Sequence, residues 1–189
     1  GSATMHPAYR PRTRSRTDLV LLTDMSSSVA GFSRFTILLM QALAGEFRRV
    51  RIFGFVNVVD ELTELVRAAT PGADLAPQLN DLSRMTRWHT NSDYGSAFAD
   101  FVDRHLDAIG PRTVVLILGD ARTNHTDPGL AALRTITGRA RAAFFLNPEP
   151  ANQWSSGDSV AAAYAEVVEM HECRNLAQLR QFITRLLPV

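Results

Sequence analysis

The stretch Leu19-Val20-Leu21-Leu22-Thr23-Asp24-Met25-Ser26-Ser27-Ser28 holds a short apolar run that stops at an acid followed by spaced hydroxyls. A run of this length, bounded by turn residues, suits a strand buried on both faces. A second run, Thr113-Val-Val-Leu-Ile-Leu118, is the most strand-like in the chain and closes in the same manner on Gly119-Asp120. Two buried strands that each end in an aspartate set the frame for everything else.

Outward from these runs, strands alternate with helices. Helical spacing of Phe35, Leu38, Leu39, Ala42, Leu43 and Phe47 predicts a helix over 36–47. Arg51 to Val56 reads as a strand, Asn57 to Asp60 as a short further one, and Glu61 to Ala69 as a helix; Leu75 to Met85 is weakly helical after the Thr70-Pro-Gly72 break. Tyr94 to Ile109 is amphipathic and stops at Gly110-Pro111. Leu130 to Thr137 reads as a helix, Arg141 to Leu146 as a strand, Ser159 to Ala165 as a helix, Glu166 to Met170 as a strand and Leu176 to Leu187 as the last helix. Such alternation implies βαβ units and a mostly parallel sheet covered on both faces. The ligand crevice of such a sheet lies at the carboxyl ends of its strands.

That edge is where the chemistry gathers. If the strands are parallel, Asp24 and Asp120 project from the same edge, whereas Asp18 starts its strand and lies at the opposite one. In a non-helical turn Asp24, Ser26 and Ser28 can converge. All these donors are hard oxygens, with no His or Cys among them, which suits Mg²⁺ or Mn²⁺ rather than zinc or copper.

Composition narrows the function classes. The chain has 189 residues, 46% of them hydrophobic, enough for one sizeable core and too apolar for disorder. All 20 basic residues are arginine. Without lysine there is no P-loop and no Schiff-base or other catalytic lysine. Four arginines (Arg10, Arg12, Arg14, Arg16) lie in the first 17 residues, which hold no acid; the rest carries 16 against 19 acids, a net of −3. That balance gives nucleic acid no electrostatic footprint. Residues 1–17 read as an arginine-rich linker behind Gly1-Ser2, which resembles an expression leftover, and 18–189 read as one domain. No apolar run approaches the ~18 residues of a membrane span. A single cysteine, Cys173, excludes an internal disulfide and fits a reducing, cytoplasmic setting.

Asp24-Met25-Ser26-Ser27-Ser28 after a hydrophobic strand resembles the DxSxS signature of von Willebrand factor A (VWA) domains, the first part of their metal-ion-dependent adhesion site. The family's Thr-Asp pair opening a helix is matched by Ser92-Asp93-Tyr94-Gly95, and its third element, an aspartate after the next buried strand, by Asp120. Leu118 to Asn124, Phe145 to Pro150, Trp154 to Ser159 and Glu172 to Leu176 resemble the bacterial CoxE-type branch, whose members are similar to partners of MoxR-type AAA+ ATPases. The resemblance implies a Rossmann-like three-layer α/β/α VWA domain with Mg²⁺ at Asp24, Ser26, Ser28, Ser92 and Asp120. It implies an adaptor rather than an enzyme, binding a partner's Asp or Glu carboxylate and aiding remodelling or maturation of a client protein. Three positions depart from the pattern: Ser92 replaces the threonine, and Ser27 and Ala121 stand where glycine is common. Thr90 takes the role of Ser92 if the register lies two residues off.

Two other readings compete. In one, Asp24 and Asp120 only hydrogen-bond their loops and the domain is a metal-free interaction scaffold. In the other, the chain is a metal-dependent phosphatase of the haloacid-dehalogenase kind. That chemistry needs a second acid two residues after the first, where this chain has Ser26, and no lysine is present to neutralise phosphate. A serine hydrolase lacks its G-x-S-x-G elbow. Arg122 is a candidate for partner contact, since its fork binds carboxylates. His89 and His125 read as solvated loop histidines, Cys173 as a small buried hydrophobe, and Trp88 and Trp154 as packing residues or interface anchors.

Overall fold

A computed structural model gives the fold and describes residues 17–26, 47–70 and 91–186, together with 77, 78 and 81. The helices expected over 36–47 and 75–85 lie almost wholly outside the described residues, as do Ser27, Ser28, Trp88, His89 and Thr90.

Six strands form one sheet: β1 (Asp18–Asp24), β2 (Arg49–Phe55), β3 (Val59–Glu61), β4 (Thr113–Leu118), β5 (Ala142–Asn147) and β6 (Glu169–Glu172). Their order across the sheet is β3-β2-β1-β4-β5-β6. Every neighbouring pair is parallel except β2 and β3. The helices are α1 (Thr63–Ala68), α2 (Tyr94–His105, extended by a 3-10 turn at Leu106–Ala108), α3 (Leu130–Arg139), α4 (Ala161–Tyr164) and α5 (Leu176–Leu186).

Because successive strand residues point to opposite faces, the continuous apolar runs feed two cores at once. On one face Leu19, Leu21, Ile52, Leu116 and Leu146 pack with Val66 of α1 and Leu179, Phe182 and Ile183 of α5. On the other, Val20, Leu22, Phe53, Phe55, Ile117 and Phe145 pack with Phe98 and Phe101 of α2, Leu133 and Ile136 of α3, and Tyr164 of α4. The result is a three-layer α/β/α sandwich, the doubly covered α/β architecture that the alternation predicts. No helix among the described residues is long and apolar enough to cross a membrane.

The element limits differ from expectation where backbone hydrogen bonding overrides apolar pattern. Val167 and Val168 read as strand, but both N–H groups reach back to the carbonyl of Tyr164 at 2.9 Å, and β6 begins only at Glu169, beside Phe144 of β5. The strand expected at 57–60 runs instead from Val59 to Glu61, with the N–H of Leu62 bonding the carbonyl of Ile52, so α1 starts later than Glu61. α3 continues through Gly138 to Arg139, two residues past Thr137.

Chain order fixes where a ligand crevice must be. From β1 the chain moves to β2 on one side, and β4 then joins β1 on the other, with Thr23 opposite Leu118. The switch point therefore falls between the carboxyl ends of β1 and β4. At the far end of β1, Asp18 is held by Arg48 through bonds of 2.9 and 2.8 Å, away from that crevice.

Candidate metal centre

Asp24 closes β1, and Asp120 follows β4 after one glycine, so parallel pairing of the two strands brings their carboxylates to one edge. Asp24 is only 1% exposed. A buried carboxylate demands donors, and three supply them. The N–H of Ser26 reaches Oδ1 at 2.9 Å, the Ser92 hydroxyl lies 2.8 and 2.9 Å from Oδ1 and Oδ2, and the Tyr94 hydroxyl donates to Oδ2 at 2.7 Å. The Ser26 and Ser92 hydroxyls also touch each other. Each hydroxyl has one proton. With Ser92 donating to Asp24, the proton shared between the serines comes from Ser26, and the chain of donors runs Ser26 to Ser92 to Asp24.

Asp120 is held differently. Its Oδ1 accepts the N–H of Arg122 at 2.9 Å, and the Tyr94 hydroxyl stands 3.4 Å away, too far to compete with Asp24 for the phenolic proton. Among the described residues no hydrogen bond reaches its Oδ2. Burial pushes the Asp120 carboxyl up to about 6, against the Arg122 N–H, and the charges of Asp24 and Glu149 add to the rise. Burial foremost, then the Asp24 and Asp120 charges, holds the Tyr94 phenol well above its ordinary range, so it remains a proton-bearing donor.

The loop after β4 keeps this arrangement in place. Ala121, Asn124 and His125 all take left-handed backbone (φ 59°, 53° and 62°), which curls the loop back over the edge. The Asn124 side-chain amide donates to the carbonyl of Ser92 at 2.9 Å, and the N–H of Asn124 donates to Asp158 at 2.9 Å. Arg122 grips Glu149 with two bonds of 2.7 and 2.8 Å and Asp158 with one of 3.0 Å.

The structure thus brings together Asp24, Ser26, Ser92 and Asp120, four of the residues singled out in the sequence. Ser28 and its neighbour Ser27, and the alternative donor Thr90, lie outside the described residues. Arg122 is engaged within its own chain, His125 is exposed, and Cys173 is buried. The Trp154 indole donates to the carbonyl of Glu149 at 2.9 Å. Sequence reasoning missed the Tyr94 hydroxyl and the Asn124 tie. Tyr94 reads as one more apolar residue of an amphipathic helix; its place inside the Ser92-Asp93-Tyr94-Gly95 motif was the available signal.

Among the described residues no three His, Cys, Asp or Glu side chains cluster as a metal group. What converges is two carboxylates and two serine hydroxyls, an all-oxygen donor set that fits a hard divalent cation and disfavours a thiolate or imidazole metal. Beside Ser92 a cleft of about 610 Å³ opens, lined by Asn57, Asn91, Asp93, Ser96, Asn124 and Thr126.

The family model described as VWA domain containing CoxE-like protein matches residues 1–182. Among solved structures, a von Willebrand factor type A protein from Catenulispora acidiphila is similar over 88% of this chain and 41% of its own, at 17% identity and TM-score 0.50. Proximal thread matrix protein 1 from the mussel byssus, solved with a zinc-occupied MIDAS motif, is similar over 90% of this chain and 47% of its own, at 10% identity and TM-score 0.57. The PilB minor pilin from Streptococcus sanguinis is similar over 92% and 60%, at 9% identity and TM-score 0.51. These identities speak to fold alone, and the chain spans less than half the length of the first two. A comparison with curated proteins gives no match.

Proposed function

This chain belongs to the family of CoxE-like proteins that contain a VWA domain, and we propose that its Asp24–Ser26–Ser92–Asp120 edge binds Mg²⁺, replaceable by Mn²⁺, to grip an acidic side chain of a partner protein. The observation that carries the reading is the meeting of two strand-end carboxylates and two loop hydroxyls at the switch point of the sheet. When bound, the ion supplies an electrophilic centre with room in its six-oxygen shell for a partner's carboxylate.

The chain's own residues prepare that centre. Asp24 accepts a hydrogen bond from the Ser92 hydroxyl, which in turn accepts one from Ser26, so both hydroxyls are oriented with oxygen lone pairs left over for a cation. Ser28 completes the DxSxS set. Asp120 contributes Oδ2. The cleft beside Ser92 is lined by amides and hydroxyls together with the carboxylates of Asp93 and Asp100, so the cation rather than the cleft would supply the attraction for an acidic partner. The zinc-occupied MIDAS motif of the mussel protein supports a divalent ion, in general terms, for a domain of this fold.

Family membership supports the rest of the reading: an interaction module without chemistry of its own, working in the cytoplasm beside a MoxR-type AAA+ ATPase on remodelling or maturation of a client. Titration calorimetry of Mg²⁺ and Mn²⁺ into the chelator-stripped domain, next to Asp24→Ala, tests the metal. Saturable binding lost in the variant supports it; flat titrations and no thermal shift at millimolar metal point to a metal-free scaffold. Capture of the ATPase from the native host, with and without chelator, tests the partner.

A further inference from the structure

The Tyr94 ring is fully buried among Phe55, Phe98, Phe145 and Tyr164, with centroids 5.1, 5.9, 6.2 and 6.0 Å away. Packing accounts for an aromatic ring here, and phenylalanine would fill the space equally well. The hydroxyl has a separate explanation. It donates to Asp24 Oδ2 at 2.7 Å and accepts the N–H of Ala121 at 3.2 Å. Gly119 presses from a third side, since a Cβ there would stand 2.1 Å from the phenolic oxygen. The oxygen has no freedom to leave Asp24.

A carboxylate as buried as that of Asp24 needs compensation when no cation is present. Lysine or arginine would provide it, yet a fixed positive charge would repel a divalent ion at the same spot. Among the described residues no cationic side chain contacts Asp24; its side-chain partners are the neutral hydroxyls of Ser92, itself a candidate ligand, and of Tyr94. We infer that Tyr94 is a positioning residue whose hydroxyl compensates Asp24 in the metal-free domain and thereby holds the metal affinity of the site down, so that occupancy is reversible. The inference rests on the metal-centre reading above. The hydrogen bond lowers the energy of the metal-free state more than that of the metal-bound state, because a cation draws on the same carboxylate charge. Deleting it raises the metal-free state and tightens binding.

Tyr94→Phe keeps the ring and removes only the hydroxyl. Mn²⁺ is titrated calorimetrically into the wild-type domain and the variant, and both are melted with and without saturating Mn²⁺. The expected result is Mn²⁺ binding about tenfold tighter in the variant, the scale of one hydrogen bond to a charged group. Its metal-free melting temperature falls by several degrees, and saturating Mn²⁺ narrows that gap. Unchanged affinity with the same loss of melting temperature in both states overturns the inference in favour of plain packing. Weaker affinity also overturns it, because the hydroxyl then serves the metal-bound state. A wild-type domain that binds no Mn²⁺ removes the metal-centre reading itself, and is told apart by the wild-type arm alone. A second measurement is independent of metal: in an Asp24→Asn background, where the charge is gone, Tyr94→Phe lowers the melting temperature much less than in the wild type, and an equal loss overturns the assignment.

Discussion

The side-chain amide of Asn124 donates to the backbone carbonyl of Ser92 at 2.9 Å, which ties the loop after β4 to the loop that delivers a site hydroxyl. The tie is reinforced next door by the Thr126 hydroxyl, 3.3 Å from Asp93 Oδ1. Asn124 also occupies left-handed backbone (φ 53°), a conformation asparagine tolerates and glycine accepts freely. Asn124→Gly therefore removes the amide without straining the loop. One net hydrogen bond amounts to about 1 kcal/mol, so Mg²⁺ affinity is expected to fall roughly fivefold, and thermal stability to change by no more than about 1 kcal/mol. Calorimetry and thermal melts on the same samples check both halves.

If Asp120 holds the proposed metal, protons compete with it there. Burial pushes the Asp120 carboxyl up to about 6 in the fold, from the ordinary carboxylate value of 3.8. The groups around it are Asp24, Glu149, the Tyr94 hydroxyl, and the N–H and guanidinium of Arg122. With the folded value raised, the folded state holds a proton that the unfolded chain has lost between pH 3.8 and about 6. Stability of the metal-free domain from this group is fully present below that window and is lost as pH rises through it. Metal needs the deprotonated form. Mg²⁺ affinity is thus expected to be level above pH 6 and to fall by up to about tenfold per pH unit below it. Asp120→Asn removes the inflection near pH 6, and titrations across that range read it directly.

Arg122 joins three segments through a fork that lysine cannot copy. Its guanidinium is 26% exposed and meets Glu149 at 2.7 Å and Asp158 at 3.0 Å. Lysine is a point donor and serves one of those carboxylates at a time. Arg122→Lys is expected to destabilise the domain by about 1–3 kcal/mol, and Arg122→Ala by more, because lysine leaves one half-buried carboxylate short of donors and alanine leaves two. Urea denaturation of the two variants tests this, and a lysine variant with wild-type stability would contradict the fork.

Residues read one at a time carried much of this protein. The runs Leu19–Thr23 and Thr113–Leu118 announced central strands because both sheet faces are covered and the pattern needs no alternation. Their terminal aspartates and the Ser92 motif marked the edge where the structure brings Asp24, Ser26, Ser92 and Asp120 together. Edge strands were harder to place. β6 is Glu-Met-His-Glu, whose pairing with β5 depends on backbone partners rather than on side-chain hydrophobicity. The Arg122 clasp was invisible for another reason: its partners lie 27 and 36 residues away, and only the crossover from β4 to β5 and beyond brings them near. Tyr94 was hidden by its own ring, since periodicity cannot separate a phenol that packs from one that also donates.

Gly119, between the end of β4 and Asp120, offers a test of how tightly the centre is assembled. A Cβ added there would meet the Tyr94 oxygen at 2.1 Å and Asp24 Cβ at 3.1 Å. The oxygen caps a ring with no exposed surface, and Asp24 is fixed by β1, so neither can retreat cheaply. Gly119→Ala is expected to cost about 1–3 kcal/mol, the usual scale of overpacking, and to weaken Mg²⁺ binding by displacing Asp24. Most of the clash is with one oxygen atom. Removing that atom should restore room, so the double variant Gly119→Ala with Tyr94→Phe is expected to be less destabilised than the sum of its parts, as contacting residues are when one relieves the other. Denaturant unfolding of the two single variants and the double variant measures the coupling; strict additivity would show that the phenolic oxygen is not what confines position 119.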